Sequence, residues 1–151
     1  MLTITRHGVD GIDDIMAIMT SAFDPQYGES WTASQCAGVL AMPGATILIA
    51  RNPGPCGFAL LRTVVDEAEL MLFGVSPDAR CQGVGRLLLR ETISVAATDG
   101  AHFYFLEVRE DNPAIKLYLD EGLSIVGRRA GYYLGRDGLR RDALTFRRGL
   151  I

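Results

Sequence analysis

A strand gives way to a helix between Val75 and Gly83, and this junction limits the architectures open to the rest of the chain. Glu69 to Val75 has strand character. From about Gly83 to Thr98, the residues Val84, Leu87, Leu88, Ile93 and Val95 to Ala97 supply the broad apolar face of a helix. The joining turn, Ser76-Pro77-Asp78-Ala79-Arg80-Cys81-Gln82, runs into Gly83-Val84-Gly85-Arg86. The first N–H groups of a helix have no internal partner and lie at the positive end of its dipole. An anion such as a pyrophosphate can therefore be held there by main-chain donors. Gly83 and Gly85 put no side chain in the way of phosphate oxygens, and Arg80 and Arg86 would add compensating charge. A tight turn that uses glycine only for packing satisfies the same letters. Two nucleotide-binding alternatives fail on spacing. A P-loop needs Lys and then Ser or Thr after its last glycine, where Arg86-Leu87 stands. The dinucleotide fingerprint needs three glycines in G-x-G-x-x-G and an acidic residue about 20 positions on, and this segment has only two glycines.

Around the junction the elements follow in a definite order. Leu2 to Arg6 alternates like a short strand. Asp10 is expected to cap a helix with Ile12, Ile15, Met16, Met19 and Phe23 at helical spacing, which Asp24-Pro25 stops. Thr32 and Gln35 stand at capping-box spacing before a shorter helix with Cys36, Val39 and Leu40, ended by Pro43-Gly44. Thr46 to Arg51, Cys56 to Val65 and Glu69 to Val75 are three strands at hairpin-like separations, so antiparallel pairing is expected. Past the junction helix, His102 to Val108 is an apolar run of strand length. Asn112-Pro113 reads as a cap with proline at the first helical position, opening a helix to about Glu121 that Gly122 closes. Strands near Leu123 to Arg128 and Asp142 to Arg148 complete the chain. Hairpins early and helical crossovers late predict one α/β domain over residues 1–151: a mixed, mostly antiparallel sheet with helices on both faces.

Bulk properties narrow the partners. A chain of 151 residues can bury a sizeable core as one domain, and a net charge of -3 argues against a general nucleic-acid binder. Basic residues gather late, at Arg128, Arg129, Arg136, Arg140, Arg141, Arg147 and Arg148, as either a solvated face or one that meets an anionic ligand. Cys36, Cys56 and Cys81 form no CxxC pair, and only His7 and His102 could supplement them. No metal site is expected, and reduced thiols in a cytoplasm are the simpler reading. Residues 1–20 carry Arg6, Asp10, Asp13 and Asp14, which do not suit a signal peptide. Nothing approaches the roughly 20 apolar residues of a membrane span. A cytoplasmic protein without a membrane partner is expected.

A second constellation runs Leu106-Glu107-Val108-Arg109-Glu110-Asp111-Asn112-Pro113, then Leu117-Tyr118 and Glu121-Gly122-Leu123. Glu107 interrupts an otherwise apolar strand and points to the face opposite Leu106 and Val108. Apolar surroundings disfavour a charged carboxylate, raising its pKa toward values useful to a general base. A strand-end glutamate facing water fits equally. Tyr118 follows Asn112 by less than two helical turns, so its phenol stays near the end of the preceding strand. An ordinary core tyrosine would do the same.

The pattern Arg/Gln-x-x-Gly-x-Gly/Ala after a strand ending in Val-x-Pro stands here as Val75-Ser76-Pro77, then Arg80-Cys81-Gln82-Gly83-Val84-Gly85. It resembles the acetyl-coenzyme A signature of the GNAT family of N-acetyltransferases, and the element order is similar over nearly the whole chain. The resemblance implies acetyl-coenzyme A as co-substrate, with no metal. It implies that the backbone of Phe73, Gly74 and Val75 bonds the pantetheine arm like an added strand. Arg80, Cys81, Gln82, Gly83, Val84, Gly85 and Arg86 would wrap the pyrophosphate. Glu107-Val108-Arg109, Asn112, Leu117-Tyr118 and Gly122-Leu123 further resemble the ribosomal-protein-alanine N-acetyltransferase subfamily. So does the tail Arg128-Arg129-Ala130-Gly131-Tyr132-Tyr133 with Asp137-Gly138 and Asp142-Ala143. That likeness implies Glu107 as base, Tyr118 as proton donor to the departing thiolate, and Asn112 against the cofactor. It implies a protein or peptide N-terminus as acceptor, on a small-subunit ribosomal protein. Acetylation of a small amine or a lysine side chain stays open, as does a non-catalytic coenzyme A-binding module. Trp31 and Tyr132-Tyr133 hint at peptide selectivity, and each can equally be core.

Overall fold

Four strands form the first half of the sheet, the last three of them in hairpin succession. β1 (Thr3–His7), β2 (Ala45–Arg51), β3 (Pro55–Val64) and β4 (Glu67–Val75) pair antiparallel in spatial order in a computed structural model describing residues 1–151. Alternation along β2 divides its side chains between two cores. Ile47 and Ile49 face α1 (Ile12–Ala22) and α2 (Ala33–Leu40), while Leu48 and Ala50 face α3 (Val84–Thr98). Both faces of the sheet are thus covered, as expected. On α3 the buried stripe runs through Val84, Leu88, Leu89, Ile93 and Ala96; Leu87, expected inside, is exposed.

β4 leads through α3 to β5 (Phe103–Arg109), which lies parallel to it. Only Glu67, Ala68 and Glu69 find partners on β5. Just beyond, β4 carries a bulge: Leu60 pairs with Leu72 and Leu61 with Leu70, leaving Met71 over. A bulge bends its strand and shifts the inward phase by one residue. Leu70 accordingly packs toward α3 and Leu72 toward α1. Past that bend β4 and β5 diverge, and the sheet opens.

α4 (Ile115–Asp120) carries the chain across to β6 (Ser124–Leu134), and β7 (Arg140–Gly149) returns between β5 and β6. The sheet order is β1-β2-β3-β4-β5-β7-β6, with every pairing antiparallel except β4–β5. β6 runs well past the expected end at Arg128 because β7 pairs with it, across an irregularity after Arg129, as far as Leu134.

Two expected caps are corrected. Asp10 does not cap α1. A single 3-10 turn, Val9–Gly11, precedes the helix, and the Asp10 carboxylate accepts from Gly8 N (2.9 Å) and pairs with His7 (3.0 Å). Asn112-Pro113 does not open α4 directly either. Asn112 Oδ1 accepts from Ala114 N at 2.8 Å, and the helix starts at Ile115. The capping box of α2 is as expected, Gln35 N donating to Thr32 Oγ1 (3.1 Å) and Thr32 N to Gln35 Oε1 (2.8 Å).

Candidate active site

The divergence of β4 and β5 makes a cleft of about 840 Å³ whose walls include Phe73, Gly74, Val75, Arg80, Cys81, Gly83, Gly85, Arg86 and Asn112. On the β4 side, Ser76 N donates to Cys56 O on β3 at 2.8 Å. Backbone N–H directions alternate along a strand, so those of Val75 and Phe73 point away from β3 and into the opening. At the mouth, the N–H groups from Cys81 to Arg86 donate to no group of the protein; the helical ladder begins with Leu87 N to Gly83 O (3.1 Å). Gly83 holds φ at +80°, a left-handed conformation that glycine adopts without strain, and no atom lies within 4 Å of where a Cβ would be. Unpaired donors at the positive end of α3 are what an anion seat requires.

Side chains in the turn play a different part from the one expected. Arg80 spends its guanidinium on two carbonyls, Val75 O (3.2 Å) and Ala22 O (2.9 Å), tying the turn to β4 and to the end of α1. Gln82 donates to Asp78 O (3.1 Å) and lies outside the cleft wall, and the Val84 side chain is buried in the core. Arg86 pairs with Glu121 at 2.7 Å, and Arg90, followed by Arg86, holds the Glu121 carboxyl below the ordinary carboxylate range. Gly74 is glycine for packing, since a Cβ there would come within 3.0 Å of Ala22 and Phe58. The seat is therefore chiefly main chain.

A smaller cavity of about 280 Å³ adjoins the cleft and is lined by Glu107, Tyr118, Trp31, Tyr133 and Leu106 among others. Phe23, Tyr27, Glu29, Phe73 and Asn112 line both spaces, which therefore share a wall. Glu107 points away from Leu106 and Val108, as the alternation requires, but its lodging is not apolar. Arg129 Nε lies 3.2 Å from its Oε2, and the side chain keeps 23% of its exposure. Tyr118 is 3% exposed, with its ring against Phe73 (6.2 Å) and Phe146 (5.8 Å). It is a core residue and a cavity residue at once. Burial, and then the charge of Glu29, push its phenol well above the ordinary tyrosine range, so the proton is firmly held at neutral pH.

The sequence profile of the acetyltransferase (GNAT) family matches residues 12–122. This chain belongs to that family. The [Ribosomal protein bS18]-alanine N-acetyltransferase of Escherichia coli strain K12 is 38% identical over 97 residues, a match spanning 64% of this chain and 65% of that protein. The N-alpha-acetyltransferase RimI of Mycobacterium tuberculosis is 36% identical over 126 residues, spanning 80% of this chain and 76% of its own. The crystal structure of the ribosomal-protein-S18-alanine N-acetyltransferase from Escherichia coli superposes with a TM-score of 0.88 at 29% identity, covering 99% of this chain and 94% of that one. The expected GNAT architecture is thus the observed one.

Within this GNAT fold, the structure brings Glu107, Tyr118, Asn112, the β4 end and the glycine turn to two adjoining spaces, and it gives Arg109 and Arg141 a part that the sequence did not indicate. Arg109, 4% exposed, pairs with Glu29 (2.6 Å) and Asp111 and lies 3.4 Å from the centroid of the Tyr27 ring. Arg141 backs the same ring at 5.1 Å and binds Asp111 (2.8 Å) and Asp137 (2.7 Å). This network fastens the segment before α2 and the β6–β7 hairpin to the end of β5, forming the walls of the smaller cavity. The signal was present but faint: an Arg ending an apolar strand needs carboxylate partners. Most of the late basic cluster is engaged within the protein. Arg128, Arg129, Arg141 and Arg147 all pair with carboxylates, and Arg148 donates to Glu121 O.

Proposed function

We propose that this chain is an acetyl-coenzyme A-dependent N-acetyltransferase whose acceptor is a protein N-terminal α-amine, of the ribosomal-protein-alanine type. The observation that carries the reading is a cleft with open main-chain donors at its mouth, adjoining a cavity that holds a carboxylate and a proton-bearing phenol. The residues present fit the co-substrate: open main-chain donors for a diphosphate, then free edge groups of β4 for the pantetheine amides. When bound, acetyl-coenzyme A supplies an activated acetyl thioester. Cys81 to Arg86 hold the diphosphate through their N–H groups, with Arg80 bracing the turn and Arg86 at its edge. The backbone of Phe73, Gly74 and Val75 aligns the arm, and the N–H of Val75 is available to a developing oxyanion. An α-amine has a pKa near 8 and arrives largely protonated at neutral pH. Glu107 accepts its proton, directly or through water, and Tyr118 gives one to the departing sulfur. Asn112 stands where the two spaces meet. Holding both reactants in one opening contributes through orientation alone.

Acceptor identity rests on the two relatives whose names specify alanine or α-amine acetylation, and on a cavity walled by Tyr27, Trp31 and Tyr133. The deciding assay follows coenzyme A release with an alanine-initiated peptide, the same peptide N-acetylated but carrying an internal lysine, and small amines. Release with the free α-amine peptide and background release with the others is expected. Turnover of only lysine or small amines would assign a different acceptor, and binding without release would leave a coenzyme A-binding module.

The role of Arg80 has its own consequence. Arg80→Ala removes two bonds from a charged donor that hold the turn against β4 and α1. Coenzyme A affinity measured by calorimetry should fall about tenfold, the equivalent of one such bond.

A further inference from the structure

Glu107 already has a cationic partner, since the Arg129 guanidinium meets its carboxylate across β7. We infer that Arg129 is a displaceable counterion that competes with the acceptor's α-ammonium for Glu107, and so sets how tightly a charged amine is held. The inference rests on the acceptor reading of the smaller cavity above.

The contact is built across a strand. Arg129 of β6 pairs with Ala143 of β7, which pairs with Arg109 of β5; Glu107 lies two ladder rows away on the same face, opposite Thr145. Ala143 is fully buried and small, so the arginine stem can cross its methyl to reach Glu107. The strand bearing Arg129 is irregular at this point. Pairing jumps from Arg129–Ala143 to Tyr133–Arg141, so Ala130, Gly131 and Tyr132 stand out from the ladder. Gly131 takes a left-handed φ of +60°, and Asp142 Oδ1 accepts from its N–H at 2.8 Å. The bulge therefore aims Arg129 across β7 with a defined backbone.

The latch is made to yield. It is one Nε–Oε2 contact of 3.2 Å, not a two-pronged pair, and the Arg129 side chain is 61% exposed. Ion pairs of this kind are weak. The Tyr132 ring, 5.1 Å from the guanidinium carbon, offers a second place to rest. Other charges around the site do not substitute for it. Arg109 is committed to Glu29 and Asp111, and Arg147 lies over the Phe103 ring at 3.9 Å. Glu69 and Tyr133 also feel Glu107, which raises the pKa of each behind the larger effect of their own burial, but neither brings a positive charge. An incoming ammonium replaces the guanidinium at the same carboxylate, whereas a neutral acetylated product has no charge with which to displace it. Arg129 would thereby favour product departure.

The test measures binding of two peptides to the protein saturated with coenzyme A: one alanine-initiated with a free amine, the other identical but N-acetylated. Arg129→Gln should tighten the free-amine peptide about two- to fivefold, the span of such exposed pairs, and leave the acetylated one unchanged. Arg129→Lys should restore the original preference. Equal gain for both peptides would point to simple steric relief, equal loss to Arg129 gripping the peptide, and no change to an idle surface pair; each overturns the inference. Failure of the unaltered protein to bind either peptide overturns the acceptor reading itself, and this one with it.

Discussion

Replacing Glu107 by Gln is expected to lower kcat/KM for peptide acetylation by about a hundredfold or more, the usual yield of a positioned general base. The substitution keeps the shape of the side chain and removes its capacity to take a proton. Glu107 is held opposite Thr145 of β7, in the middle of a well-paired strand, so the backbone has no reason to move. Coenzyme A affinity should survive, because the anion seat is main chain and lies at the other end of the opening. The pH–rate profile supplies the second readout: an acid limb present in the parent and lost in the variant marks a base, while an unchanged rate and profile would remove Glu107 from that role. Arg129 sharpens the contrast. An amide has no charge to hold it, so the guanidinium should leave in the variant, yet turnover should not recover.

Phe146→Ala should cost about 3–5 kcal/mol of stability, the range for deleting a large buried aromatic ring. Phe146 is fully buried on β7, with Leu106 of β5 on one side and Ile125 of β6 on the other. Its ring lies 5.8 Å from that of Tyr118, so the cavity left behind opens directly under the proposed acid. Denaturant unfolding should show the loss as a lower midpoint. Phe146→Leu should cost no more than about 1.5 kcal/mol, since it refills most of the volume. A loss below about 1 kcal/mol for the alanine variant would mean that β7 repacks freely and that Tyr118 is not held by this contact.

Much of the fold could be read from neighbouring residues. The box at Thr32 and Gln35, the hairpins from β2 to β4 and the strand-to-helix turn depend on contacts within a few positions, and all formed as expected. At Asp10 the rival was itself local, since His7 and Gly8 just upstream take its carboxylate. The other expectations that went astray had rivals from elsewhere in the fold. Leu87 turned outward because the core beneath α3 admits Leu89 in its place. β6 outran its expected end because β7 lay beside it, and no local pattern in Arg129 to Leu134 announces such a partner.

The site divides along the same line. The donors proposed as its anion seat could be read in advance because unpaired N–H groups at a helix start are a property of the backbone, and glycine leaves them open. Glu107 and Tyr118 were identifiable as residue types in a familiar spacing. Their surroundings were not. The ion pair with Arg129, the clamp of Arg109 on Tyr27 and Glu29, and the bulge at Met71 beside the sheet's opening all join segments far apart in the chain. Local sequence specifies which groups are available and which way each backbone stretch bends. Which charges meet, and how much water reaches them, follows only once distant strands have packed, because ion pairing and burial depend on distance in space.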